Sequence, residues 1–316
     1  MAAKPVEYNA TIIHKKLHTP TLGVFRVRPD EPIGGFIPGQ YAILGLNHSE
    51  KGGVMRAYSI ASPPCVHEDY YEFYVRYVNQ PTSTNPLTHL LFEAEEGDRI
   101  LMRKRIQGHF TVEKTMGLDD PRMRVLVASG TGLAPFTSMV FEWHHQLGHT
   151  RNSAIVHGAS YPTDLGYREE LEEVMNRGEQ QRYLPTISRP KEVPGWDGLT
   201  GRVENHFAPE SIGVLEERLG LGEGGFNPRN CTVMICGLQG TIANTLTSLL
   251  YRGFVPGDRK LRRVFGIPKD LEASLFFEQY DTTPIIDTKD EALVSELVER
   301  LRAAGVPAGE DAAAAR

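Results

Sequence analysis

The sequence predicts two domains, an antiparallel Greek-key β-barrel followed by a doubly wound parallel α/β sheet. Three observations predict it. Short alternating runs separated by turn residues fill the stretch from about Tyr8 to Phe110. After Asp119-Asp120-Pro121 the runs become continuously apolar and alternate with helical segments. A glycine turn, Gly130-Thr131-Gly132, joins the first of those apolar runs to a helix start. The expected divisions are a barrel over 1–118, an α/β domain over 119–286, and a separate helix with a tail over 287–316.

In the barrel, Thr21–Val27 and Tyr71–Val78 alternate as half-buried strands do, and turns fall at Ile37-Pro38-Gly39-Gln40 and Glu96-Gly97-Asp98. Asn85–Phe92 is the helix expected within it. In the second domain Arg124–Ala128 reads as a buried parallel strand, and a helix from Pro135 to Leu147 has Gly148 placed to end it. Ala154–His157, Tyr183–Ile187 and Thr232–Cys236 read as further strands, Tyr167–Arg177 and Ile242–Tyr251 as helices, and Gly213–Asn230 as a surface helix with a loop. Thr288-Lys289-Asp290-Glu291 reads as a capping box opening a helix whose Leu293, Val294, Leu297, Val298 and Leu301 share one face. The Ala-rich stretch Ala303–Arg316 is expected to be disordered.

Composition narrows the function. A chain of 316 residues, 40% hydrophobic, is long enough for two cores. A net charge of -6 gives no reason to expect nucleic acid. The most apolar stretch, Val125–Phe141, is broken by Gly130, Gly132 and Pro135, so no membrane span is expected. Met1–Lys16 lacks an apolar secretory core, and Cys65, Cys231 and Cys236 are too few for a disulfide framework. Both points lead us to expect a cytoplasmic protein. The same cysteines are too few for a four-cysteine iron–sulfur cluster, so single electrons would leave on a separate carrier. His145 and His149 lie one helical turn apart without a third ligand, and no metal is expected.

Several short motifs carry chemistry. Arg56 and Tyr58 lie two apart on a strand and therefore face the same side, with Ser59 at the strand end. A cation, a flat ring and a hydroxyl so arranged suit a flavin and its phosphates, although the tetrapeptide alone also fits an ordinary barrel strand. Asn85-Pro86-Leu87-Thr88 opens a helix whose amides and hydroxyl suit a phosphate, or form a plain capped turn. Gly130 and Gly132 allow close backbone approach to a second nucleotide's phosphates, though Pro135 stands where a full G-x-G-x-x-G would have its third glycine. Arg189 and Lys191 follow one strand and Arg202 lies in a nearby loop; these cations suit a 2'-phosphate or are simply solvated. Arg103-Lys104-Arg105 is a steering patch for an acidic partner or a solvated face. Cys236-Gly237 ends a strand, where the thiol is functional or merely buried.

As an ordered set, Pro38-Gly39-Gln40, Arg56-Ala57-Tyr58-Ser59, Gly97-Asp98, Gly130-Thr131-Gly132-Leu133-Ala134-Pro135 and Cys236-Gly237 resemble the ferredoxin–NADP reductase superfamily, and most of all its bacterial ferredoxin (flavodoxin)–NADP reductases. The resemblance runs from about residue 8 to 286. It implies FAD and NADP as cofactors, ferredoxin or flavodoxin as the electron carrier, and a monomer or weak dimer. It also implies roles. Arg56 and Ala57 would contact FAD, Tyr58 would stack on its ring with Ser59 beside the hydride-accepting nitrogen, and Arg76, Leu87 and Thr88 would help hold it. Gly130, Thr131 and Gly132 would bind the NADP pyrophosphate and ribose, Arg189 and Arg202 its 2'-phosphate, and Cys236 would lie beside the nicotinamide. Phe277-Glu278-Gln279-Tyr280 resembles the aromatic ending of many relatives, with Tyr280 covering the ring and Glu278 a nearby proton donor. The sequence departs from the family in Asn85, often Gly, and Ser160, often Arg. Two other readings are an NADH-dependent reductase of the cytochrome b5 reductase or oxygenase-reductase type, and a non-catalytic flavin relay subunit.

Overall fold

The computed structural model describes residues 3–79, 86–176, 181–280 and 283–309. In chain order its main elements are β1 (Ala10–Thr19), β2 (Leu22–Pro29), β3 (Tyr41–His48), β4 (Gly52–Ser59), β5 (Tyr71–Arg76), α1 (Leu87–Glu93), β6 (Arg99–Met102) and β7 (Met123–Ser129). They continue with α2 (Ala134–Leu147), β8 (Ser153–Ala159), α3 (Arg168–Met175), β9 (Gln181–Ile187), β10 (Leu199–Thr200), α4 (Ile212–Leu219), β11 (Cys231–Gly237), α5 (Gln239–Leu250), α6 (Arg259–Val264), β12 (Leu275–Gln279) and α7 (Glu291–Ala303). The chain forms two compact units, each discontinuous in sequence. One comprises Met1–Thr111, Leu133–Thr150 and Thr163–Val174, the other Val112–Gly132, Arg151–Pro162 and Met175–Arg316.

The first unit is the barrel. Its strands run antiparallel in the order β4-β3-β6-β1-β2-β5. A bridge between Ile60 and Phe73 and a hydrogen bond from the Ala61 amide to the Glu72 carbonyl (2.8 Å) bring the end of β4 back to β5 and close the circuit. Phe25, Leu44, Tyr71, Phe73, Leu91 and Ile100 fill the interior. The alternation of β5 predicts one wet face, yet the strand is buried on both. Tyr71, Phe73 and Val75 enter the core, while Glu72 and Tyr74 are covered by the Gly166-Tyr167 segment. The Glu72 carboxylate accepts from Arg26 Nε (2.7 Å) and Tyr167 Oη (2.8 Å), and Tyr74 Oη accepts from the Gly166 amide (3.1 Å). These bonds hold Tyr167 in a left-handed conformation at φ 62°, a strained choice for a residue with a Cβ. α2 is tied to the chain just after β4: Thr137 and Ser138 donate to the carbonyls of Ala61 (3.0 Å) and Ser62 (2.8 Å). α1 begins at Leu87, and the expected start Asn85 lies outside the described residues.

The second unit is a parallel sheet in the order β10-β9-β8-β7-β11-β12. The continuous apolar run of β7 is buried at every position, as a central parallel strand requires. From β7 the chain proceeds outward to β8, β9 and β10, then returns to place β11 on the other side. The strand order therefore reverses between β7 and β11, and such a switch point opens a crevice at the carboxyl ends of its strands. β12, which pairs in parallel with β11, and the short α6 were not evident in the sequence: one is an edge strand ending in Glu-Gln, the other a highly charged single turn and a half. The α4 region is less superficial than expected. Leu215, Leu219 and Phe226 are fully buried, and the Glu216 carboxylate gathers the amides of Gly224 (3.1 Å) and Phe226 (3.0 Å).

The C-terminal piece corrects two expectations. The cap of α7 is Asp290, whose carboxylate accepts from the Leu293 amide (3.0 Å), so Thr288 does not cap the helix. The stretch after Ala303 is packed as far as it is described. Val306 enters the core with Leu297 and Leu301, Arg302 donates to the carbonyls of Phe265 (2.8 Å) and Gly266 (2.9 Å), and the Gly309 amide bonds Gly266 O (2.8 Å). The remainder of the expected disordered tail, 310–316, lies outside the described residues.

Candidate functional site

Each unit presents its own candidate residues. In the barrel, β4 pairs with β3 so that Arg56 faces Leu44 and Tyr58 faces Ala42. Arg56 and Tyr58 thus share one side of the strand, as the spacing predicts, and both are half-buried while Ala57 between them is exposed. The Tyr58 ring packs on the edge of the barrel core, yet its hydroxyl is buried with no hydrogen-bond partner among the described residues. Burial holds that phenol firmly protonated, so it is a donor lacking an acceptor. A flat ring, an orphaned donor and a cation two residues away fit a flavin with its polar tail and pyrophosphate. Ser59 is buried at the strand end. Leu87 is buried in the core, with Thr88 buried beside it. Arg76 pairs with Asp164 (3.4 Å).

In the second unit, Gly130, Thr131 and Gly132 form a tight turn at the carboxyl end of β7. Gly130 takes φ +53° and has open space where a side chain would stand. Gly132 is the opposite case, because a Cβ there would overlap the backbone carbonyl of Cys236. Gly237, at φ +143°, has its own missing Cβ directed at Ser129. Ser129 Oγ accepts from the Leu238 amide (2.9 Å). The ends of β7 and β11 are thus drawn together to a spacing that side chains would prevent, leaving a backbone-lined cradle suited to a pyrophosphate. Cys236 and Tyr280 complete this end. The Cys236 thiol donates to Tyr280 Oη (3.3 Å), which donates to the Thr131 carbonyl (3.4 Å). Burial and then the Glu278 carboxylate push the Cys236 pKa up, so the group stays a thiol and is not a nucleophile. Glu278 stands opposite Cys236 in the β11–β12 register.

His157, on β8, lies fully buried beneath the same end, with Nδ1 2.9 Å from Tyr183 Oη. Burial lowers its pKa to about 3 from 6.5, with a small opposing pull from the Gly130 backbone. An unfolded chain therefore binds this proton first as pH falls, and stability is full above about pH 6.5 and declines below it. Lowering the pH from about 6.5 to 5 is expected to cost about 2 kcal/mol of unfolding free energy from this group alone. Urea titrations at the two pH values measure it, and His157→Gln is expected to flatten the dependence.

Arg189 and Arg202 lie just beyond β9 and β10, at the same edge of the sheet. Thr186 ties the two loops by donating to the Gly201 carbonyl (2.9 Å). Arg202 extends into solvent, 3.9 Å from Glu204. Arg189 does not stand alone. Its Nη1 donates to Tyr161 Oη (2.7 Å), its guanidinium lies 5.3 Å from the Tyr161 ring centre, and Tyr161 Oη donates to Glu192 (2.6 Å). Tyr161 and His157 were missed in the sequence. The signal was available for both: each lies at or just past the carboxyl end of a parallel strand, where such folds place ligand contacts.

The chain is similar to known proteins. The oxidoreductase NAD-binding domain family matches residues 126–246. Ferredoxin–NADP reductase A of Sorangium cellulosum is 30% identical over 247 residues, covering 73% of this chain and 80% of that one. The phenol hydroxylase P5 protein of Acinetobacter pittii is 27% identical over 270 residues, 85% of this chain and 70% of its own length. Among solved structures, a ferredoxin NADP+ reductase from Neisseria gonorrhoeae with bound FAD and NADP superposes with a TM-score of 0.69 at 23% identity, covering 87% of this chain and 100% of that chain. With the strand order, the glycine-clamped cradle and these matches together, the chain belongs to the ferredoxin–NADP reductase family.

Proposed function

We propose that this protein is an FAD-dependent oxidoreductase that passes electrons between NADPH and a one-electron carrier of the ferredoxin or flavodoxin kind. The observation that carries this reading is Tyr58, a half-buried ring whose buried hydroxyl has no hydrogen-bond partner among the described residues, placed on one side of β4 with Arg56. Bound FAD would accept hydride from the nicotinamide and return the pair as single electrons. The chain's own work is positional. Arg56 supplies positive charge for a pyrophosphate, Tyr58 supplies a flat face and a hydroxyl donor, and Ser59 supplies a hydroxyl at the strand end. The turn Gly130–Gly132 supplies backbone amides to the second nucleotide, and Arg189 and Arg202 supply charge for its 2'-phosphate. Tyr280 must release the Thr131 carbonyl and the Cys236 thiol before a nicotinamide can lie there.

Anaerobic mixing with each nicotinamide tests this. The flavin is expected to bleach at least about tenfold faster with NADPH than with NADH. Arg189→Ala is expected to raise the KM for NADPH about tenfold, the loss of one charge-assisted contact, and to leave the KM for NADH within about twofold. A protein that stays colourless with excess FAD would end the proposal. A second reading, an NADH-dependent oxygenase reductase, is favoured by Ser160, which stands where the family it resembles often has an arginine. Faster bleaching with NADH would select it.

A further inference from the structure

The cation expected to grip the 2'-phosphate is held in a chain of three side chains, and its last member carries the wrong charge for that ligand. Tyr161 has one hydroxyl hydrogen. It goes to the Glu192 carboxylate (2.6 Å), which leaves the phenol oxygen to accept from Arg189 (2.7 Å). Donation to a carboxylate makes that oxygen a better acceptor, so Glu192 strengthens the hold on Arg189 through the tyrosine. The Arg189 guanidinium also lies against the Tyr161 ring, at 5.3 Å from its centre. Ser160 adds its carbonyl to the Arg189 amide (3.3 Å), but its short side chain adds no second cation.

We infer that Tyr161 is a positioning residue for Arg189, and that Glu192, acting through it, sets how strongly this site prefers a 2'-phosphorylated nucleotide. The inference rests on the reading of Arg189 as a 2'-phosphate contact. A phosphate dianion entering here competes with the tyrosine for the guanidinium and must overcome the extra hold that Glu192 gives that tyrosine. A 2'-hydroxyl meets neither penalty, since it is neutral and can donate to a carboxylate. Glu192 is exposed, so solvent and salt screen its charge and the effect is modest. The consequence is a nucleotide site that prefers NADPH by less than its arginines alone would dictate.

Calorimetric titration of the FAD-loaded protein with 2'-phospho-AMP and with 5'-AMP reads this without turnover. Glu192→Gln is expected to tighten 2'-phospho-AMP about three- to fivefold at low salt and to leave 5'-AMP within about 1.5-fold. In a Tyr161→Phe background the same substitution is expected to gain less than about 1.5-fold, because the intermediary is gone. Glu192→Gln changing both nucleotides alike, or neither, overturns the inference, as does an undiminished gain in Tyr161→Phe. Arg189→Ala separates the two levels. If it leaves 2'-phospho-AMP binding unchanged, the assignment of Arg189 falls and the inference with it. If it weakens binding about tenfold while Glu192→Gln is silent, only the role of Glu192 falls.

Discussion

Replacing Gly132 with alanine is expected to lower the rate of flavin reduction by NADPH at least about a hundredfold while the FAD content stays unchanged. The added Cβ would overlap the Cys236 carbonyl and press on Gly237. Those are backbone atoms at the carboxyl end of β11, so no rotamer change relieves the clash. Relief requires the ends of β7 and β11 to part, and that breaks the Ser129–Leu238 hydrogen bond and the bridge from Cys236 through Tyr280 to Thr131. The cradle loses its shape even where the sheet survives. The residues proposed to hold the flavin, Arg56 to Ser59, lie in the other unit, so the FAD content is expected to stay the same. The melting temperature is expected to fall by about 2–4 °C per kcal/mol of strain. Stopped-flow absorbance of the flavin measures the rate, and a value within about twofold of the parent would show that the turn does not bind the nicotinamide nucleotide.

Leu297→Ala in the C-terminal helix is expected to cost about 2–5 kcal/mol. Leu297 is fully buried and shares one core with Ile286, Leu301 and Val306, together with residues of α5, α6 and the sheet. The exposed edge of the same helix gives the control, because Val298 is only partly buried and its truncation is expected to cost less than about 1 kcal/mol. Urea unfolding followed by circular dichroism compares the two. Equal, small effects would mean that α7 is an appendage and not a wall of the nucleotide unit.

The barrel and the parallel sheet were legible because each has its own periodicity. The period-two runs of β2 and β5 and the unbroken apolar run of β7 leave few other folds open. The placement of Arg56, Tyr58, Gly130, Gly132 and Cys236 at or near strand ends was legible for the same reason. What escaped were features set by contacts distant in sequence. Nothing near Glu72 announces that Tyr167 will donate to it across 95 positions. Nothing near Arg189 announces Tyr161, which arrives just past the end of the neighbouring strand β8. The Ala-rich composition after Ala303 reads as disorder, yet one arginine, Arg302, and one valine, Val306, pin that stretch to the sheet's helical layer. The cap of α7 is Asp290 and not the expected Thr288, because only the folded geometry decides which side-chain oxygen meets the Leu293 amide.

The threading of the barrel unit bears on how this enzyme can be divided. Its three segments are separated by stretches that belong elsewhere, so no single cut in the gene liberates a flavin module. A fragment ending at residue 118 would leave behind the Thr137 and Ser138 hydroxyls that fasten the chain after β4, and the Tyr167 phenol bound to Glu72. Recombination that swaps one nucleotide specificity for another must therefore carry α2 and the Gly166-Tyr167 segment with the recipient barrel. In this architecture, exchange by point substitution at the sheet's edge is easier than exchange of whole halves.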